Sequence, residues 1–148
     1  MCPGLDQILA ESDYLCPLCP LLPSTRGMLA MPQFKKMKPS AVLVNIGRGE
    51  LTNENDLAQA LREGVIRYAA LDVFGVVNVF GADGFSTDHE LFDLENVLLT
   101  PHVAAASVES GAETRRRGAR AVVDVLLGRW PEHAVNPSVK PWFTRNAG

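Results

Sequence analysis

Hydrophobic and polar positions along the chain fall into short blocks that switch between a helical and a strand period. Leu5 to Glu11 carries its apolar residues at helical spacing, and Tyr14-Leu15-Cys16 is a brief apolar run of the kind a buried strand makes. The proline-rich segment Pro20-Leu21-Leu22-Pro23-Ser24-Thr25 reads as a turn. A helix is predicted from Met31 to Met37, and the uninterrupted run Ala41 to Asn45 is a strand that ends in a polar residue. Asn53 caps the next helix, Glu54 and Asp56 occupy its positive first turn, Leu57, Ala58, Ala60 and Leu61 form its buried stripe, and Gly64 stops it. Tyr68-Ala69-Ala70-Leu71 makes a further strand that delivers Asp72 to its carboxyl end. A loop follows from Phe74 to about Thr87, then the short strand Asn96 to Thr100, the dipeptide Pro101-His102 and a long helix from about Ser107 to Leu127.

Strands alternating with helices imply a parallel sheet, so the predicted fold is α/β, part of a doubly wound (Rossmann-type) parallel sheet. Right-handed crossovers then place Cys19, Arg48, Asp72 and His102 along one edge, each just past the carboxyl end of its own strand.

The length of 148 residues suits one domain with a real core, and a chain that is 47% hydrophobic and 21% charged is globular in composition. No apolar stretch approaches the 18 or so residues of a membrane span, and no basic region followed by an apolar block opens the chain, so a cytoplasmic location is expected. A net charge of −3 argues against general attraction to nucleic acid, and Arg115-Arg116-Arg117 reads as a solvated helix face. Three cysteines are too few for a disulfide framework. Cys16-Pro17-Leu18-Cys19 has the C-x-x-C spacing, but it closes a strand and has no second pair or histidine beside it, so no metal site is expected.

Candidate chemistry centres on Arg48, in the run Leu43-Val44-Asn45-Ile46-Gly47-Arg48-Gly49-Glu50. A guanidinium beyond a parallel strand offers a planar fork of donors that matches a carboxylate bidentately. His102 stands at the equivalent place on another strand, and an imidazole titrates near working pH, which suits proton transfer. Together with the motifs Asn45-x-x-Arg48-Gly49, Ala70-Leu71-Asp72-Val73-Phe74 and Thr100-Pro101-His102, these residues resemble the D-isomer-specific 2-hydroxyacid dehydrogenases. Pro20 to Thr25 looks especially like the phosphoglycerate dehydrogenase branch, with glyoxylate/hydroxypyruvate reductases close by. The resemblance runs from about Leu5 to Val139 and covers only the second half of a family member.

That resemblance implies reversible hydride transfer between NAD, or NADP, and the carbonyl carbon of a small 2-oxo acid. It implies Arg48 on the substrate carboxylate and His102 as general acid/base. Cofactor contacts would fall on Cys19, Ile46, Gly47, Arg48, Asp72, His102, Val103, Ala104 and Ala105, with Asp72 accepting from the nicotinamide carboxamide. It also implies that residues 1–130 form part of an NAD-binding domain and 131–148 a return segment or linker, in a homodimer. The family's third catalytic group is a glutamate five residues beyond the aspartate, paired with the histidine; Val77 stands there, and Asp83, Asp88 and Glu90 are the acids that follow. No G-x-G-x-x-G opens a helix in the chain, so the pyrophosphate cradle is not among these residues. A non-catalytic module that keeps the half-sheet and uses the long helix for dimerisation is the competing reading.

Overall fold

The computed structural model describes residues 4–75, 89–136 and 138, so the Val77, Asp83 and Asp88 positions lie outside the described residues. The chain forms two compact units, Met1–Ala104 and Ala105–Gly148.

Four strands, β1 (Tyr14–Leu15), β2 (Val42–Asn45), β3 (Tyr68–Leu71) and β4 (Val97–Leu99), build the first unit as a parallel sheet in the order β1-β2-β3-β4. Neighbouring strands are in simple register, with Tyr14 opposite Val42, Val42 opposite Tyr68, and Ala69 opposite Val97. α1 (Leu5–Glu11) precedes β1, α2 (Met31–Phe34) lies between β1 and β2, and α3 (Glu54–Arg62) lies between β2 and β3. Strand alternation sends Leu15, Leu43, Ala69 and Leu71 to one face, where they join Leu9, Phe34, Leu57, Ala58, Leu61 and Ile66 in one core. The opposite face stays open: Tyr14, Tyr68 and Leu98 are exposed on it. β1 is the edge strand and pairs with β2 alone among the described residues.

Local chemistry accounts for the element boundaries. The Asn53 side chain accepts the Asp56 amide at 3.1 Å and so caps α3, and Gly64, at φ +69°, ends that helix in the left-handed region. The α2 helix is shorter than Met31 to Met37 predicts, and its first amide, that of Met31, is satisfied from outside by the Asp56 carboxylate at 2.9 Å. Asn96 donates to the carbonyls of Leu61 and Arg67, tying the start of β4 to the end of α3. Two 3-10 turns, Gly49–Leu51 and Glu90–Asp93, form in stretches to which the sequence pattern assigns no element.

The second unit holds α4 (Val108–Leu126), one residue shorter at each end than the predicted Ser107 to Leu127. Ser107 caps it by accepting the Ser110 amide at 3.0 Å. Arg116 and Arg117 both bond Glu113, whose carboxyl they hold down to about 2, on an exposed helix face. No described helix is long and apolar enough to cross a membrane.

Backbone packing at the carboxyl edge of the sheet is tight enough to forbid side chains. A Cβ on Gly49 would lie 2.0 Å from the Phe74 carbonyl carbon, and one on Gly47 would lie 2.7 Å from the Pro17 oxygen. Gly49→Ala is therefore expected to lower unfolding stability by more than about 2 kcal/mol in urea denaturation, whereas Gly4→Ala, with nothing within 4 Å, is expected to leave it unchanged.

Candidate active site at the carboxyl edge of the sheet

Each strand of the parallel sheet releases one loop at the same edge, and the loops are joined by buried polar groups. Asn45, the last residue of β2, is 1% exposed. Its Nδ2 donates to the Arg48 carbonyl at 2.9 Å and its Oδ1 accepts the Gly47 amide at 3.1 Å, which curls the chain beyond the strand. Arg48 follows as the exposed residue before the Gly49–Leu51 turn. Its Nη1 donates to the Gly47 carbonyl at 2.8 Å, and the rest of its donor fork faces solvent.

Asp72, the first residue past β3, is 3% exposed and ionised. Burial pushes its carboxyl up, but the Thr100 hydroxyl, the Ala104 and Val103 amides and the nearby His102 outweigh that and hold it below the usual range. Oδ1 accepts the Thr100 hydroxyl at 2.5 Å and the Val103 amide at 2.8 Å, and Oδ2 accepts the Ala104 amide at 2.8 Å. The Asp72 amide in turn donates to the Asn45 carbonyl at 3.0 Å, linking this cluster to the Arg48 loop.

His102 sits inside the segment that Asp72 gathers. Its amide closes a tight turn onto the Thr100 carbonyl at 3.1 Å, and its φ of +57° makes it the one non-glycine residue in the left-handed region among the described residues. Such a conformation costs about 1–2 kcal/mol for an L residue, here offset by the bonds on either side. The side chain is exposed at the sheet edge.

Of the sequence-predicted residues, Ile46, Gly47, Arg48, Asp72, His102, Val103 and Ala104 all lie in these loops of the first unit. Cys19 lies past β1 and is half-buried, with its thiol 3.6 Å from the Met28 sulfur. Ala105 opens the second unit, where its carbonyl accepts the Ser110 hydroxyl at 2.7 Å. Glu90 pairs with Arg62 at 2.7 Å on an exposed surface, so it is spent on α3. Among the described residues no three His, Cys, Asp or Glu side chains form a metal-binding group. Asn45 and Thr100 appear in the sequence motifs, yet their bonding roles are not written there; for Asn45 the signal is a polar residue at a position where strand alternation points inward, whereas Thr100, just past β4 and in phase with exposed Leu98, carries no such signal.

A family sequence model described as "D-isomer specific 2-hydroxyacid dehydrogenase, NAD binding domain" matches residues 2–104. The chain belongs to the D-isomer-specific 2-hydroxyacid dehydrogenases. It is 39% identical over 135 residues to glyoxylate/hydroxypyruvate reductase B of Pectobacterium atrosepticum, covering 91% of this chain and 40% of that one. It is similar in fold to D-lactate dehydrogenase with NAD+ from Lactobacillus jensenii, at a TM-score of 0.81 and 29% identity over 90% of this chain and 42% of that one. The NADPH-dependent glyoxylate/hydroxypyruvate reductase of Sinorhizobium meliloti, solved with NADP and sulfate, matches at a TM-score of 0.72 and 32% identity over 91% of this chain and 42% of that one. The chain thus spans about 40% of the length of the curated relatives it matches.

The residues at this edge fit the nicotinamide end of a dinucleotide. A carboxylate offers about four acceptor positions, and three of those on Asp72 are taken by the protein. The fourth suits one carboxamide N–H, and the exposed, small Ala104 beside it lets a planar ring approach the backbone.

Because the folded carboxyl of Asp72 lies below its unfolded value, the stability it contributes is present above about pH 4 and is lost as pH falls through the folded value. Thr100→Val is expected to cost about 1.5–3 kcal/mol at pH 7, with the gap to the unaltered chain narrowing below about pH 4. Urea denaturation across pH checks this; a gap independent of pH contradicts it.

Proposed function

We propose that this chain carries the nicotinamide half-site and the substrate-facing groups of an enzyme that reduces a small 2-oxo acid to its 2-hydroxy acid. The observation that carries the reading is the joint placement of an exposed guanidinium, Arg48, and an exposed imidazole, His102, on loops that a buried aspartate and asparagine bond together. NAD or NADP, when bound, supplies the hydride that adds to the carbonyl carbon. Arg48 binds the substrate carboxylate with the free part of its fork and polarises the adjacent carbonyl oxygen. His102 delivers a proton to that oxygen as the hydride arrives, and takes it back in the reverse direction. Cys19, Ile46, Gly47, Val103, Ala104 and Ala105 complete the cofactor contacts in this reading. Glyoxylate and hydroxypyruvate are the first substrates to try, since the similar reductases are named for them.

A second copy of the chain is the proposed partner. The observation favouring it is the apolar stripe of α4, where Val122, Val125 and Leu126 are 59%, 48% and 79% exposed at helical spacing. Sedimentation velocity is expected to show a dimer that Leu126→Asp converts to monomer; a monomer at the outset contradicts the pairing.

NADH oxidation at 340 nm with glyoxylate or hydroxypyruvate tests the activity. Turnover is expected, and Arg48→Ala is expected to lower kcat/KM by a factor on the order of a hundred or more, chiefly by losing a charged hydrogen-bond pair. Folded protein that binds neither NADH nor oxamate, an unreactive 2-oxo acid analogue, would instead favour the non-catalytic dimerisation module.

A further inference from the structure

The Arg48 loop is clamped on two sides by backbone that has no slack. A Cβ at Gly47 would reach the Pro17 oxygen at 2.7 Å, and one at Gly49 would reach the Phe74 carbonyl carbon at 2.0 Å. On the third side the loop hangs from a single side chain. Asn45 spends its whole carboxamide there: Nδ2 on the Arg48 carbonyl at 2.9 Å and near the Thr52 hydroxyl at 3.5 Å, Oδ1 on the Gly47 amide at 3.1 Å. Its own backbone carbonyl takes the Asp72 amide, and Asp72 takes Thr100, Val103 and Ala104. One buried residue therefore stands between the guanidinium loop and the imidazole loop.

We propose that Asn45 is a positioning residue for the 2-oxo acid reaction, its carboxamide setting where Arg48 stands relative to the Asp72–His102 loop. The proposal rests on the reading of Arg48 and His102 as substrate-facing groups. The chemistry requires a carboxamide at this point. The Arg48 carbonyl needs a donor and the Gly47 amide needs an acceptor, within 3.1 Å of one side chain. An ionised aspartate only accepts, so it would confront the Arg48 carbonyl with a lone pair; leucine would leave the Gly47 amide unpaired and the Arg48 carbonyl with the Leu51 amide alone. Asn45 touches no reacting atom in this account, since it is 1% exposed beneath the loop. Its effect is expected on substrate binding and not on cofactor binding, because the cofactor-facing Val103 and Ala104 amides are held by Asp72 directly.

The test uses the chain as it stands with Asn45→Asp, the closest isostere, and has two readings. In the first, NADH binding is followed by fluorescence and oxamate binding is measured at saturating NADH. The variant is expected to lose at least about tenfold in oxamate affinity, the equivalent of one buried hydrogen bond, with NADH affinity, measured on folded protein below its lowered Tm, close to that of the unaltered chain. Equal losses for both ligands, or no loss for either, overturn the proposal. In the second, amide hydrogen exchange is measured without ligands. Faster exchange is expected at Gly47, with Val103 and Ala104, which Asp72 holds, and Ala69 and Leu71 in the sheet interior unchanged. No change at Gly47, or a change spread evenly through the sheet, overturns it. If the unaltered chain binds no oxamate, or Arg48→Ala binds it equally well, the assignment of Arg48 fails, and the exchange pattern alone still decides whether Asn45 holds the Arg48 loop. Should Asn45→Asp not fold, Asn45→Ser, which keeps one donor and one acceptor, is judged by the same exchange pattern.

Discussion

A carboxylate taken out of water at the end of β3 is the constraint from which the rest of the edge follows. Asp72 is buried, and an ionised group there is tolerable only if donors surround it. The donors at hand are the Thr100 hydroxyl and the amides of Val103 and Ala104, so the chain past β4 has to fold back over the end of β3 to present them. Making that return in so few residues forces the turn at Pro101 and the left-handed backbone at His102. The imidazole is thus displayed at the edge by a bonding requirement two residues away from it. Strain in a residue that is also the candidate proton donor is the arrangement expected when a site is held by its surroundings and not by its own preference.

A second layer of constraint lies in the backbone. Parallel strands bring their carboxyl ends to one edge, but that alone does not place side chains within reach of one ligand. Here the loops touch main chain to main chain at Gly47 and Gly49, and the polar bonds of Asn45 and Asp72 fill the remaining gaps. The exposed groups, Arg48 and His102, are the ones left over after every buried side-chain polar atom among the described residues has been matched. Function at such an edge is the residue of a satisfied interior.

The periodic signals in the sequence carried the sheet well. Apolar runs at Val42–Asn45 and Tyr68–Leu71, the Asn53 cap and the Gly64 stop all stand where local chemistry places them, because each is decided within a few residues. The family motifs were equally legible, and the match over residues 2–104 bears out the resemblance. Three things were not readable. The 3-10 turn at Gly49–Leu51 depends on pairing with the distant residues Gly27 and Leu29. The clamp at Gly49 depends on Phe74 backbone, twenty-five residues on. Thr100 bonding to Asp72 joins the ends of two strands, and no spacing rule within one strand announces it.

The account stands or falls on the charge state of that one buried aspartate. Carbon-13 NMR titration of the Asp72 carboxyl carbon in the folded chain measures it directly. The bonds from Thr100, Val103 and Ala104 predict a midpoint clearly below the ordinary aspartate range near 3.9, with the Val103 and Ala104 amide resonances shifting through the same midpoint. A midpoint at or above that range would mean that burial wins, that the carboxyl is no acceptor for the His102 loop, and that the carboxyl edge is organised by something else.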